Sequence, residues 1–412
     1  MKVLAGILGI MAAGFFVVAA AAAEVQVFPR DGLVLAPLNP QHGYFDLMVP
    51  LIAIQPRTGE QFRIDLVRLE LLKGSRAIAA RVFDAAEILA KTKALASQPV
   101  EGLIDVQFIG AGGLKRALGA GARLATSATV GPDEVLALTE EYFALDDTPD
   151  RLHVIAIGAD GKGRTRTYET SVSVAPYRST IAYKFPLRGN WLEAAPGAQS
   201  HHRFNAPAEF AADFFKVDAS GHNFHDDSAK AENWYAWGEP VMAAADGEVV
   251  RVVADQVQDR AFLAHPAGET EAQRAARVGH TMEERLFGKT ARFPDSLTGN
   301  TITIRHESGG QIEYSSYDHL KTGSIRVRQG DRVRQGDVIA EVGDTGDTPV
   351  VHLHFQVNAG PDGSNDKSLP FAFSDVGWAG ATRDQGHFVE PAPPNPGGPS
   401  AAGKAGGAAP GR

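Results

Sequence analysis

"PVVHLHFQV", residues 349–357, sets two imidazoles one residue apart in an apolar, β-branched run. Such a run reads as a strand, and in a strand residues i and i+2 leave the sheet on the same side. His352 and His354 therefore share one face, while Leu353 and Phe355 take the other. A single histidine in such a run is ordinarily a hydrogen-bonded core or surface residue. Two on one face must be satisfied together, because burying both costs desolvation. A metal ion or a catalytic pair would do so.

Working outward, "FAADFF" (210–215) buries Asp213 in another apolar, strand-like run, a costly position unless the carboxylate is paired or ligating. His201 and His202 stand upstream of it. "YSSYDHL" (314–320) ends in His319, which taken alone reads as an ordinary turn histidine. A zinc hydrolase needs three protein ligands, an open position for water, a general base and a group that stabilises an oxyanion. The chain has no cysteine, so a zinc site here has to be built from histidine and carboxylate.

The composition is that of a globular protein: 412 residues, 44% hydrophobic and 22% charged, enough for two or three domains. A net charge of −9 supplies no basic field for phosphates, which argues against nucleic acid as a partner. The first residues combine Lys2, an apolar run from Val3 to about Ala19, and Ala21-Ala22-Ala23. That is the pattern of a signal peptide over 1–23, cleaved before Glu24, and it predicts an exported, periplasmic or secreted protein with no transmembrane span after processing. An uncleaved anchor is the competing reading of the same run.

Residues 24–185 carry alternating apolar runs and a 22-residue stretch, "HVIAIGADGKGRTRTYETSVSV", that reads as a hairpin. They predict a β-rich, sandwich-like accessory domain, with one helix within 83–98. A junction is expected over 183–197. Histidines then concentrate from His201 onward. "GEPVMAAADGEVVRVVAD" (238–255) reads as strand, Asp-Gly turn, strand, and 300–320 as a hairpin turning at Gly309-Gly310. Between them, 256–299 is charged and predicts an inserted, partly helical loop. "RVRQGD" occurs twice in succession, at 326–331 and 332–337, each copy predicting a Gly-Asp turn. The Pro-, Gly- and Ala-rich stretch 386–412 predicts disorder.

"GEPVMAAADGEVV", "YSSYDHL" and "GDRVRQGDVIAEVGDTGDTPVVHLHFQV", in that order, resemble the lysostaphin/LytM-type zinc metallopeptidases. The resemblance covers roughly 198–376. It implies a compact antiparallel β-fold with Zn2+ in a groove, and cleavage of peptide bonds in bacterial peptidoglycan. Carried over residue by residue, it makes His202, Asp213 and His354 the metal ligands. It makes His352 the histidine that activates water and His319 the one that stabilises the oxyanion. The family's common form has its first histidine and aspartate four apart; here the gap to Asp213 is longer. That leaves His201 as the alternative to His202, whose neighbour Arg203 matches a common His-Arg beginning.

Two other readings compete. One is an inactive domain of this family that binds and activates another cell-wall hydrolase; dead members usually lose ligands, and all five positions are present here. The other is a biotinyl- or lipoyl-type carrier, suggested by "GDRVRQGDVIAEVGDTG", which lacks the lysine at a hairpin tip that a carrier needs. His222 and His225 read as a solvated loop with Asp226 and Asp227, and His306 as a groove-lining residue. His42, His153, His265, His280 and His387 match no motif. The sequence does not address oligomeric state.

Overall fold

The computed structural model of the chain describes residues 25–29, 31–39, 44–56, 60–96, 123–193, 202, 206–264, 266–287, 292, 295–382 and 386–391. The leader expected over 1–23, His42, His201, His265 and the last part of the tail, 392–412, lie outside them.

The fold is mainly β, with two main cores and, among the described residues, a smaller third cluster of Phe28, Leu51, Ala53, Leu95, Val135 and Ala137. The first belongs to a ten-stranded sheet. Its path runs Arg76–Asp84, Phe62–Lys73, Arg151–Asp160, Thr165–Pro176, Leu33–Asn39, Tyr44–Ile54, Glu134–Leu145, Arg123–Leu124, with two more strands attached. Alternation places Phe62 and Ile64 in this core and, past a bulge between Ile64 and Leu66, Val67, Leu69 and Leu71. The expected hairpin forms here, with Ser173 opposite Arg151 and Thr165 opposite Ala159. The helix spans Ala85–Ala96 and starts at a capping box. Asp84 Oδ1 accepts from the backbone N–H groups of Ala86 and Glu87, and Glu87 Oε2 accepts from Asp84 N–H.

The second core collects Tyr183, Trp191, Phe214, Ile302, Ile304, Tyr317, Leu353, Phe355 and Val357. Its sheet has nine antiparallel strands. They run Arg332–Val333, Gly247–Val253, Thr301–Ser308, Gln311–Asp318, Leu353–Asn358, Ala212–Phe215, Trp191–Glu193, Gly386–Pro391, Val376–Thr382. Ile181, Tyr183, Phe185 and Leu187 also pack into this core, so by packing the changeover falls near Tyr177, ahead of the junction expected from composition.

Two local readings come out differently, and a third holds. The 238–255 stretch is not a hairpin: Pro240–Met242 pairs with Val338–Glu341, while Gly247–Val253 pairs with Thr301–Ser308 and Arg332–Val333. The Asp246-Gly247 step carries the chain between two sheets. Gly386–Pro391, inside the stretch read as disordered, pairs through Val389 with Trp191 and through Phe388 with Leu192. The doubled "RVRQGD" forms two like turns. In each, an aspartate carboxylate accepts from the arginine N–H three residues back, Asp331 from Arg328 at 2.8 Å and Asp337 from Arg334 at 2.7 Å. Gly330 and Gly336 supply the positive φ values of +92° and +90°.

The 256–299 insertion is helical over Arg260–Leu263, Glu271–Phe287 and Asp295–Thr298. It is anchored beside the His352 strand's preceding loop. Arg285 donates to the Gly346 carbonyl, pairs with Asp259 at 2.9 Å and lies 4.3 Å over the Phe262 ring.

Candidate functional site

Three neighbouring strands build the site by register. Asp213 is opposite His354, and His354 is opposite Asp318, so the three side chains form one row across the sheet. The flanking residues Ala212, Phe214, Leu353, Phe355 and Tyr317 take the other face and pack in the core. His352 sits one residue before the strand, on the His354 side, with Phe215 stacked on its ring at 5.1 Å and 13°.

His319 reaches the same place by a break in alternation. A strand continuing past Asp318 would turn it to the opposite face. Its φ is +60°, a left-handed conformation that costs a non-glycine residue about 1–2 kcal/mol. Two bonds hold it there: its backbone N–H donates to Thr298 O at 2.9 Å, and Nδ1 lies 2.8 Å from Thr345 O. The ring ends 4.8 Å from that of His352 and 5.9 Å from that of His354.

The five side chains singled out from sequence thus converge. Asp213 Oδ1 lies 3.0 Å from His202 Nε2, 3.1 Å from His354 Nδ1 and 3.3 Å from His352 Nε2. His202 and His354 meet edge to face at 4.6 Å. All but His202 are buried, and His202 is nearly so. Four other described histidines stay away. His222 and His225 pair with Asp218 and Asp226 in the exposed loop, and His153 lies between Glu70 and Glu169 in the other half. His306 is a core residue, with Nδ1 at 2.8 Å from Asp246 O and Nε2 at 2.8 Å from Ser315 Oγ.

The donor set fits a zinc ion. One carboxylate oxygen has three imidazole nitrogens around it, more than its lone pairs can serve as simple hydrogen bonds. Donors on a tetrahedral zinc with bonds of about 2.0–2.1 Å stand roughly 3.3 Å apart. His202 Nε2 and His354 Nδ1 each stand close to that from Asp213 Oδ1, and the donor atoms of His202, Asp213 and His354 all lie within 4.8 Å of one another. Burial pushes the Asp318 carboxyl up, and burial, with Asp213 adding to it, pushes Glu193 up to about 8. Burial opposes charge on His354 as well, but Asp213, with Asp318 and Gln356 adding to it, outweighs burial and raises the ring to about 9.

His319 behaves oppositely. Burial, then the neighbouring His352 and His354 rings, depress it well below the ordinary imidazole value. Because Thr345 O can only accept, Nδ1 carries the proton, and the neutral ring offers the lone pair of Nε2 to the site. His352 has the same polarity, with Nδ1 at 3.3 Å from Val350 O and Nε2 toward Asp213.

The geometry can be set beside known proteins. Residues 287–367 match the model of Peptidase family M23. This M23 segment contains His319, His352 and His354 and excludes His202 and Asp213. Its similarity is to metallopeptidases, as the ordered motifs imply. No curated protein matches the chain. Among solved structures, the chain is similar to the catalytic domain of the antimicrobial peptidase lysostaphin from Staphylococcus simulans. That likeness has 18% identity over 47% of this chain and 88% of the other, with a TM-score of 0.22. A putative peptidase M23 from Pseudomonas aeruginosa aligns at 14% identity over 60% and 79%, TM-score 0.25. A zinc containing peptidase from Vibrio cholerae aligns at 12% over 84% and 86%, TM-score 0.22. At such TM-scores these pairings carry no weight for this chain's chemistry.

Proposed function

We propose that the chain is an exported zinc-dependent endopeptidase that hydrolyses peptide bonds of bacterial peptidoglycan. The observation that carries this is the single oxygen, Asp213 Oδ1, ringed by His202, His354 and His352. The M23 match supports the metallopeptidase class, and the leader-like pattern of 1–23 supports export. No helix among the described residues is long and apolar enough to cross a membrane.

In this reading His202, Asp213 and His354 hold the ion. When bound, zinc supplies a Lewis acid and a water of lowered pKa. His352 is the general base: its Nε2, beside Asp213, takes the proton of the attacking water and returns it to the leaving amine. Phe215 and the Val350 carbonyl hold that ring in orientation. His319 presents Nε2 as an acceptor at rest, so its part in stabilising an oxyanion begins only once that atom is protonated. The resting tautomer thus makes the expected role conditional.

Isolated peptidoglycan incubated with the protein, with and without a chelator, tests the reading by mass spectrometry of released fragments alongside bound zinc. Zinc near one per chain with chelator-sensitive fragments supports it and identifies the bond cut. Zinc without fragments favours the inactive, partner-activating reading; no zinc removes the zinc-dependent one.

A further inference from the structure

His354 is held from behind by a row of amides that the hydrolytic chemistry leaves unused. Residues 354, 356 and 358 share one face of the Leu353–Asn358 strand, and all three are buried. His354 Nε2 lies 2.8 Å from Gln356 Oε1. Gln356 Nε2 donates to Asn358 Oδ1 and to Gly363 O, both at 2.8 Å. Asn358 Nδ2 donates to Pro207 O at 2.7 Å and Asp366 O at 3.0 Å.

The direction of every proton in this row follows from its far end. Pro207 O and Asp366 O are carbonyl oxygens and only accept, so Asn358 turns its NH2 to them and its Oδ1 to Gln356. Asn358 Oδ1 and Gly363 O only accept, so Gln356 turns its NH2 to them and its Oε1 to His354. Oε1 only accepts, so His354 carries a proton on Nε2. A neutral ring then has its lone pair on Nδ1, which faces Asp213 Oδ1 at 3.1 Å. Two lone pairs in contact require a proton or a cation between them. Asp318 Oδ2 lies farther from Nε2, at 3.9 Å, and leaves Gln356 Oε1 as its hydrogen-bond partner.

We propose that Gln356 and Asn358 are positioning residues that set which nitrogen of His354 meets the metal, by locking the Nε2–H tautomer and leaving Nδ1 as the donor. This rests on the zinc-site reading above. The two amides touch neither the ion nor the substrate. They act through the ring, as outer partners of metal-bound imidazoles do.

Zinc affinity, measured by chelator competition on the full chain, separates this role from a merely structural one. Gln356→Leu removes the acceptor opposite Nε2–H and is expected to bind zinc about 10–100-fold more weakly. Gln356→Glu keeps that acceptor but loses the donations to Asn358 and Gly363. It is expected to stay within about threefold of wild type in affinity, although both variants melt at lower temperature. Wild-type affinity in Gln356→Leu overturns the proposal, as do equal affinity losses that follow the melting temperature in both variants. Should Gln356→Leu not fold, the wild-type chain answers by NMR with isotope-labelled histidine and bound cadmium. Metal coupling to His354 Nδ1 with a proton on Nε2 is expected, and coupling to Nε2 overturns the proposal. A wild-type chain that binds no metal overturns the site reading first, and this proposal with it.

Discussion

The Nδ1 atoms of His319 and His352 both face backbone carbonyls, so each ring turns its Nε2 toward Asp213 and His354. Loss of one ring should therefore leave the metal and remove the proton transfer. His352→Ala is expected to keep zinc near one per chain and to lose hydrolysis by about 10²–10⁴-fold; a fully active variant would sink the base assignment. His354→Ala should lose zinc itself, and unchanged metal content would reassign the ligand. His306 gives a separate test by pH. Burial lowers it to about 4 from an ordinary value of 6.5. The folded chain keeps this ring neutral while the unfolded chain protonates it, so its stabilising share is complete above pH 6.5 and is lost as pH falls toward 4. The loss is on the order of 3 kcal/mol. Urea unfolding at stepped pH should find that acid slope reduced in His306→Asn; an unchanged slope would assign it elsewhere. The paired histidines were legible because a period of two is local. Gln356 and Asn358 were not, since nothing within the strand's own sequence says that Pro207, Gly363 and Asp366 will cover them.

The insertion ends against the loop whose carbonyl holds His319. Gly299, at φ +67°, lies so close to the 343–348 loop that a Cβ there would sit 2.4 Å from the carbonyl of Thr345, the group that holds His319. Asp347 N–H donates to Leu297 O at 3.0 Å, and Arg285 ties the long helix to Gly346. Gly299→Ala is expected to cost about 1–3 kcal/mol through overpacking and left-handed strain. It should lower turnover while zinc content stays at the wild-type level; unchanged turnover would separate the insertion from His319. Sequence marked 256–299 as inserted, because its charge pattern breaks strand alternation, but its docking depends on contacts dozens of residues apart. The same limit misled the reading of 238–255. Asp-Gly is a strong hairpin signal, yet the partner strand, Val338–Glu341, lies about a hundred residues downstream.

On the second sheet, Glu313 is fully buried and accepts three hydroxyl groups from the segment that leads in from the first: Tyr177 and Tyr183, each at 2.9 Å, and Ser179, also at 2.9 Å. Thr180 adds bonds to Gln311 and Ser308. Hydrogen bonds to a charged group are worth about 1.5–3 kcal/mol each, so Glu313→Ala should lower the melting midpoint by several degrees. It should also divide a single calorimetric transition into two. A midpoint left in place would mean the junction contributes nothing. Composition put the junction after 183 because Gly and Pro gather there, whereas the chain has already changed cores by Ile181. Lys367 and Asp31, 3.3 Å apart, close a second contact between the halves. Two domains on a flexible linker search a volume, and longer linkers dilute the search. Here the connection is short and tied at both ends, to Leu35 O through the Tyr177 N–H and to Glu313 through the Tyr177 hydroxyl. The connection then works as a ruler, setting whatever the N-terminal half touches at a fixed distance from the His202–Asp213–His354 cluster.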